Sequence, residues 1–451
     1  MSGEGRVMKG LEISEELVRR AKAMGADEAE VYYLKARKLE AVFEKNDLQV
    51  PKGDSYEGVG IRVIRRSRQG FAATNVLSGE TLDDTLAAAL AIAEASPVDT
   101  NHVLPDPAEA RPVPGIYDEA SERLVLEDVL DLGRRFVEAA RAYDSRVTID
   151  SASFAAHISE RAIANSKGVR LSERASSFVC VGMAFARDGD DISSFDAEYS
   201  GSCALAGIDP EACGRRLADK VVKALGAITI PSFKGSVIVT PYAGDELIVQ
   251  PIAFSSSAEN VQNGRSKWAG KLGSTVTSPL LSVTDDPRIP AALGSASFDR
   301  EGVPPEPIEL LKDGVLGHYL YNCYTARKDG VRSNGRATGT DQTTPGIGST
   351  NFVVAPGQTS LDEMIRAIPK GLIVNRFSGN LDPVSGDFSG VVKGGHYIEN
   401  GEIAKPVKEV MIAGNIYELF AHIVAVSREV VTIGEMRLPY IQLEGVSVTG
   451  K

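Results

Sequence analysis

The sequence predicts an α+β protein in which two related helix–strands–helix units with antiparallel sheets precede a β-rich, barrel-like C-terminal domain. The order of a helix, several strands and a second helix occurs twice in the first half of the chain, which indicates a degenerate duplication. From about Pro231 the composition changes to strands and glycine-rich loops with few helices. In that part, Asp313-Gly314 and Asn400-Gly401 each separate two strand-like segments, which is a strong signal of a two-residue hairpin turn.

The first unit, residues 1–110, is predicted to begin and end with a helix. In LEISEELVRRAKAMG the apolar residues recur at helical spacing, and Gly25 follows as a helix stop. Three strand-like segments come next, and the last two meet at the basic cluster RVIRRSRQG, which begins at Arg62. We interpret that cluster as a strand end and a solvated turn. The closing helix is SGETLDDTLAAALAIAEAS, for which Ser78 or Thr81 can act as the N-cap.

The second unit, residues 116–228, repeats this order. It follows a proline-rich stretch, Val103 to Gly115, which interrupts all periodicity and is typical of a linker or an extended crossover. The helix LEDVLDLGRRFVEAARAYD is followed by two long strands of alternating character. Turns are predicted at Lys167-Gly168 and Asp188-Gly189, and Asp209 is predicted to cap the closing helix.

The C-terminal domain, residues 231–451, is predicted to open with a strand and a helix. From Gly235 the segment GSVIVTPYAGDELIVQPIAFSSS indicates a buried strand, a turn and a helix from about Tyr242 to Phe254. A second helix is predicted over NIYELFAHIVAVS, which begins at Asn415 and follows an apolar strand. A strand followed by a helix and a glycine-punctuated loop is the layout of many enzyme sites.

Composition excludes several classes of function. The chain has 451 residues, 43% apolar and 24% charged, and is therefore long enough for two or three domains with their own cores. Its net charge of -12 argues against binding of nucleic acid, whose phosphates require Lys and Arg. No apolar run reaches the roughly 18 residues of a membrane span. Four scattered cysteines and an N-terminus without a signal segment predict a cytoplasmic protein.

No pattern in the chain forms a self-contained catalytic motif. There is no HExxH or G-x-S-x-G sequence, and the five histidines are dispersed, although a zinc site assembled from distant positions stays open. His422 is interpreted as a packing or surface residue in a helix, and Cys323 as inert packing in an apolar strand. Acidic residues near the hairpin turn at Asp188-Gly189, among them Asp196 and Glu198, are expected to form a solvated sheet face.

Several long segments resemble the TldD/PmbA family, also called the modulator of DNA gyrase family. They include AENVQNGRSKWAGKLGSTV, SFDREGVPPEPIELLKDGVLGHYLYNCYTARKDG, GDFSGVVKGGHYIENGEIAKPVKEVMIAGNIYELFAHIVAV and RLPYIQLEGVSVTG. The N-terminal segment GVGIRVIRRSRQGFAATNVLSGETLDDTLAAALAIAEASPVDT fits as well, so the resemblance covers nearly the whole chain. Within the family the chain is most similar to the PmbA branch, which is also called TldE.

The resemblance implies a role without catalysis. In this family the TldD subunit is a zinc metallopeptidase with an HExxxH helix and a distant cysteine ligand near its C-terminus. At the helix position this chain has Asp245, Glu246 and Gln250, and its segment TIGEMRLPYIQLEG lacks the cysteine. The chain is therefore expected to hold no metal or other cofactor and to pair with a zinc-carrying TldD-type subunit. The expected heterodimer degrades or processes peptides and unfolded polypeptides.

The resemblance also implies a cleft for an extended peptide, bound by strand addition at sheet edges and glycine-rich loops. The candidate cleft residues are Asn260, Asp299, Glu301, Asp387, Phe388 and Ser389. Two other hypotheses stay open. One is a homodimeric peptidase or other hydrolase with an unrecognised site. The other is a regulatory protein, a modulator of DNA gyrase in the older sense, that binds its partner without proteolysis.

Overall fold

The structure, a computed structural model, describes residues 4–49 and 51–451. In the first half these residues form α-helices on one face of an eight-stranded antiparallel sheet. The helices are α1 Glu4–Ala23, α2 Gly79–Ala95, α3 Leu126–Tyr143 and α4 Pro210–Lys223. The strands are β1 Glu28–Glu44, β2 Asp47–Leu48, β3 Lys52–Arg65, β4 Arg68–Thr74, β5 Val147–Asn165, β6 Arg170–Asp188, β7 Asp191–Ile192 and β8 Asp196–Ser202.

The predicted repeat of a helix, strands and a helix is confirmed, and its two units share one sheet. The strand order is β4-β3-β1-β5-β6-β7, with β8 also paired to β6. Strand β1 of the first unit pairs with β5 of the second from Glu30, opposite Asn165, to Glu44, opposite Ser151. The two predicted antiparallel sheets are therefore the halves of one continuous sheet.

The predicted helix boundaries follow from local capping. The Ser78 hydroxyl accepts a hydrogen bond from the Thr81 amide (3.3 Å), which makes Ser78 the N-cap of α2. The Asp209 carboxylate accepts from the Ala212 amide (2.8 Å) at the start of α4. Helix α1 ends shortly before Gly25, whose φ of 96° lies in the left-handed region that glycine adopts readily.

The two faces of this sheet have different roles because side chains alternate along each strand. On one face, Val31 and Ile61 pack with Leu86 of α2 in a buried apolar core. A second apolar core forms where the other half of the same face meets α3 and α4. On the opposite face, Tyr32 packs against Phe298 of the C-terminal domain. The sheet thus lies between its own helices and the C-terminal domain.

The C-terminal domain is β-rich, as predicted. Its largest sheet has 13 strands in the main order β12-β11-β10-β15-β23-β9-β16-β19-β20, and these strands form an open mixed sheet rather than a closed barrel. Its strands are β9 Phe233–Val239, β10 Val283–Asp285, β11 Ile308–Lys312, β12 Val315–Leu316, β15 Phe352–Val354, β16 Lys370–Val374, β17 Arg376–Leu381, β18 Asp387–Lys393, β19 His396–Glu399, β20 Glu402–Pro406, β21 Met411–Asn415, β22 Ile423–Ile433 and β23 Met436–Thr449. A separate pair is β13 Ala337–Thr338 with β14 Gly346–Ile347.

The C-terminal domain also contains short helices. They are α5 Pro241–Gly244, α6 Gln250–Ser256, α7 Ala258–Gln262, α8 Cys323–Asp329, α9 Leu361–Arg366 and α10 Ile416–Phe420. Among the helices of the described residues, none has the length and apolar character that a membrane span requires.

Both hairpin turns predicted in this domain are confirmed. Asp313 and Gly314 have φ values of 48° and 77°, and Asn400 and Gly401 have φ values of 53° and 80°. Positive φ at both central residues matches the right-handed twist of the flanking strands. The pair Asp313-Gly314 joins β11 to β12, and Asn400-Gly401 joins β19 to β20.

Two predictions about local structure are wrong. Asn415 caps a helix as expected, but α10 ends at Phe420 and the following β-branched segment enters β22, opposite β23. His422 therefore lies exposed in the turn between them. Cys323 does not lie in a strand but begins α8, because the Asn322 side chain accepts from the Thr325 amide (2.9 Å) and forms a cap.

The proline-rich stretch from Val103 to Gly115 is a crossover fixed to the C-terminal domain. The Arg288 guanidinium donates to the Arg111 carbonyl (2.6 Å), and the Ala291 amide donates to the Pro114 carbonyl (2.8 Å). In a free linker these carbonyl groups would form hydrogen bonds with water. Here they accept hydrogen bonds from the C-terminal domain, so the stretch is held in place.

A buried ion network joins the N-terminal sheet to the C-terminal domain. Arg62 donates to Glu30 (2.6 Å) and to Glu301 (2.9 Å), and Arg300 also donates to Glu30 (3.1 Å). The side chains of all four are at most 4% exposed. The solvated-turn prediction is right for Arg66 but wrong for Arg62, because the partner Glu301 is 239 residues away and invisible to local patterns.

Candidate functional site

The largest cavity that borders the helix with Asp245, Glu246 and Gln250 lies between the N-terminal sheet and the C-terminal domain. It has a volume of about 620 Å³. Val179 of β6 and Tyr199 of β8 line it from the sheet, and Asp245 lines it from the helix position. The connection between β22 and β23 contributes Gly434 and Glu435. The helix that contains Asp245 and the C-terminal segment TIGEMRLPYIQLEG therefore meet at this cavity.

The segment from Pro241 to Ser256 is helical, as predicted, but it contains one π-turn, Asp245–Val249. The Gln250 amide donates to the Asp245 carbonyl, a bond between residues five positions apart. In a regular α-helix such residues point about 140° apart. Here the Gln250 side-chain amide reaches the Asp245 carboxylate at 3.3 Å. The π-turn thus places positions 245 and 250, the two histidine positions of an HExxxH motif, on one face.

Glu246 points in a different direction from Asp245. The cavity is lined by Asp245 and Val249 but not by Glu246. Burial raises the pKa of Glu246, the neighbouring Asp245 raises it further, and Arg376 of β17 opposes the change. Side chains of adjacent helical residues point in different directions. Asp245 and Gln250 therefore lie on one face of the helix, and Glu246 lies on another.

The helical segment that begins at Pro241 is anchored to the N-terminal sheet by Glu198. Its carboxylate accepts from the Tyr242 hydroxyl (2.8 Å) and pairs with Arg216 (2.7 Å) and Lys220 (2.6 Å) of α4. Glu198 and Asp196 are each only 2% exposed, so the predicted solvated acidic face is wrong for both. Arg216 and Lys220 lie four positions apart on one face of α4, but no local pattern connects them with Glu198.

The residues at the helix position do not fit zinc. A catalytic zinc site has three protein ligands, mostly imidazole or thiolate, and one open position for water. Asp245 and Gln250 supply one carboxylate and one amide, neither of which is an imidazole or a thiolate, and the Gln250 amide N–H donates to the Asp245 carboxylate. In residues 4–49 and 51–451, no group of three or more His, Cys, Asp or Glu is arranged to hold a metal ion.

A smaller cavity of about 320 Å³ adjoins the first. The two share Leu293, Ser349, Thr350 and Glu435 as a common wall. On the far wall of the smaller cavity, Arg161 is paired with Glu173 (2.5 Å). The larger cavity differs because Asp245 and Glu435 are the charged residues in its lining.

Three of the six predicted cleft residues have side chains engaged in the interior. Glu301 is fully buried, and its second carboxylate oxygen accepts from the Cys323 amide (2.7 Å). Asp299 accepts from the backbone amides of Glu301, Val303 and Ala337 and lines the smaller cavity. Burial and the neighbouring Glu301 raise the pKa of Asp299. Asn260 is also buried, and its amide donates to the Phe254 carbonyl (2.9 Å).

The other three predicted cleft residues lie together on β18, outside both cavities. Asp387 and Ser389 are exposed, and Phe388 packs edge-on against Phe377 in the core. Asp387 accepts from the Asn415 amide (2.9 Å). The structure therefore distributes the six predicted residues over three places, and the larger cavity is formed by other residues.

The N-terminal sheet packs on the β-rich domain, the π-turn helix lies at the cleft between them, and the three models that match this arrangement of domains are those of a metallopeptidase-like class of protein. The chain belongs to the PmbA/TldD family. The models of PmbA/TldA metallopeptidase domain 1, central domain and C-terminal domain match residues 29–93, 119–225 and 232–450. The resemblance drawn from the sequence is thereby confirmed.

Relatives of both branches are similar over most of their length. Metalloprotease PmbA of Escherichia coli O157:H7 is 27% identical over 436 residues, which cover 94% of this chain and 93% of that protein. The metalloprotease TldD homologue of Haemophilus influenzae is 26% identical over 413 residues, 88% of this chain and 84% of that protein.

Solved structures have the same fold. A candidate modulator of a DNA gyrase from Thermotoga maritima has a TM-score of 0.88 and 28% identity, covering 97% of this chain and 99% of that one. TldE from Thermococcus kodakarensis has a TM-score of 0.90 over 97% of this chain and 100% of that one. At 24% identity the second likeness shows the fold alone.

Proposed function

We propose that this chain is the non-catalytic, PmbA/TldE-type subunit of a cytosolic two-subunit zinc peptidase that degrades or processes peptides and unfolded polypeptides. The observation that carries the proposal is the helix position at the cavity. Its π-turn brings positions 245 and 250 together, but a hydrogen-bonded Asp245–Gln250 pair stands where zinc needs two imidazoles. Zinc and the water that it activates belong to a TldD-type partner in this proposal.

The role left for this chain is that of the opposite wall of a shared cleft. A metallopeptidase site gains from excluding bulk water and large folded substrates around its metal-bound water. The rigid attachments of the helix position, such as the Tyr242–Glu198 bond (2.8 Å), suit a fixed wall. The cysteines of the described residues are free and buried, which agrees with a reducing compartment.

Glu246→Ala is the substitution that tests this role. Glu246 takes the place of the motif glutamate that serves as general base in zinc peptidases. Loss of a general base costs roughly 10²–10⁴-fold in rate. We expect the reconstituted pair carrying Glu246→Ala to keep kcat/KM within about threefold of the unmodified pair, because the general base lies in the partner. The measurement is cleavage of an unstructured fluorogenic peptide.

The matched control is the same Glu-to-Ala change in the HExxxH motif of the partner, which should abolish turnover. Size-exclusion chromatography shows that each variant pair is intact. If Glu246→Ala abolishes cleavage by an intact pair, this chain is catalytic, and the hypothesis of a peptidase in its own right replaces the proposal.

A further inference from the structure

We infer that the larger cavity binds a protonated amine carried on an apolar stem, the chemistry shared by a lysine side chain and the N-terminus of a peptide. The inference deepens the proposed function, on which it rests for the choice of a peptide as ligand. In this inference the chain contributes a preference for certain substrates and not only one wall of the shared cleft.

The walls of the cavity suit an apolar stem. Val179 lies on the sheet side, Leu293 on the side shared with the smaller cavity, and Phe352 and Met436 on the C-terminal domain. A volume of about 620 Å³ lies within the usual range of small-ligand sites, roughly 300–1,000 Å³. The cavity can therefore take one long side chain or a terminal residue together with its backbone.

The charge of the lining selects a cation. Asp245 and Glu435 are its charged residues, and no Lys, Arg or His lines it. Among the described residues, neither carboxylate forms an ion pair, and the neutral Gln250 amide is the hydrogen-bond partner of Asp245. A protonated amine gains charge-assisted hydrogen bonds here, whereas the carboxyl terminus of a peptide is repelled.

The surroundings of Glu435 reinforce this preference. Burial by the neighbouring protein raises the pKa of Glu435, and the nearby carboxylate of Asp285 raises it further. Asp285 is itself paired with the buried Arg336, and the larger cavity that Glu435 lines has no Lys, Arg or His in its lining. An incoming ammonium group supplies a positive charge beside Glu435, which is accessible to solvent, and Asp245, which is half-buried.

Equilibrium binding to the purified full-length chain tests the inference without zinc or a partner. Three tetrapeptides with a C-terminal fluorophore serve as probes in anisotropy titrations. One is N-acetylated with lysine at its second position, one is N-acetylated with norleucine there, and one has a free N-terminus with norleucine. We expect the lysine or the free-amine peptide to bind about tenfold more tightly than the neutral acetyl-norleucine peptide.

Isosteric variants locate the site. Glu435→Gln and Asp245→Asn should each reduce the preference for the charged peptide by at least about threefold, and the double variant should abolish it. Glu402→Gln is the matched control, since Glu402 lies exposed on β20, outside the cavity. Leu293→Ala should weaken binding of charged and neutral peptides alike, which tests the apolar wall separately. Thermal unfolding checks that each variant is folded.

Preference for the lysine peptide alone identifies a side chain as the ligand, and preference for the free amine alone identifies the N-terminus. Both results support the shared chemistry. Equal binding of all three peptides, or a charge preference that survives in the folded double variant, overturns the inference. Such a failure leaves the Glu246→Ala result untouched, so it is distinguishable from failure of the proposed function.

Discussion

Arg62→Met is expected to destabilise the chain by about 3–5 kcal/mol, because removing one member of a buried ion pair leaves the others uncompensated. Arg62 bridges Glu30 of the N-terminal sheet and Glu301 of the C-terminal domain. Glu30 keeps Arg300 as a partner, but Glu301 loses its cation while fully buried. The substitution therefore weakens the contact between the two halves of the molecule more than either half alone.

Urea unfolding with two probes measures this effect. Trp268, the single tryptophan, is buried in the C-terminal domain, whereas the long helices α1–α4 belong to the N-terminal sheet. Tryptophan fluorescence and far-UV circular dichroism should give coincident transitions for the unmodified chain and separate transitions for Arg62→Met. Arg66→Met, an exposed arginine of the same basic cluster, is the control and should change the midpoint little. A similar small change for Arg62→Met would contradict the account.

The double variant Asp245→His, Gln250→His is expected to bind zinc at least about tenfold more tightly than either single variant. Two nitrogens bound to one zinc at 2.0–2.1 Å in a tetrahedral site lie about 3.3 Å apart. The side chains at positions 245 and 250 already approach to 3.3 Å across the π-turn. Both positions are at least partly exposed, so the imidazoles can be accommodated without repacking the core.

The control places the same two imidazoles four residues apart, in Glu246→His, Gln250→His. That spacing aligns side chains in a regular α-helix but not across a π-turn. Competition titration with a chromogenic chelator gives the zinc affinity of each variant. If the four-residue spacing binds zinc as tightly as the five-residue spacing, the π-turn is not what aligns these positions.

Features fixed by neighbouring residues were predictable from sequence. The Asp313-Gly314 and Asn400-Gly401 turns require positive φ at both positions, and these residue types tolerate it. The caps Ser78 and Asp209 act on amides three residues away. In each case the physical cause lies within a few residues of its effect, so a local pattern suffices.

Features fixed by distant partners were not predictable in this way. Glu198 looks like a solvated strand residue until Tyr242 and α4 are placed over it. The helix length after Asn415 was overestimated, because pairing with β23 outweighs the helical spacing of the apolar residues. Tertiary contacts override local preference at both places.

The candidate site was predictable only in part. The family resemblance located Asp245, Glu246 and Gln250, but the π-turn that aligns positions 245 and 250 has no evident sequence signal. Glu435 was missed, although it lies in the segment that lacks the cysteine ligand. Its role depends on a cavity formed by several parts of the chain that are far apart in sequence.

Zinc stoichiometry of the copurified pair is the most direct test of a non-catalytic subunit. We expect elemental analysis to find about one zinc per heterodimer and essentially none on this chain purified alone, since the helix position offers one carboxylate and one amide. About two zinc ions per heterodimer, or about one per chain in isolation, would show that this subunit holds a metal site of its own and would contradict the account.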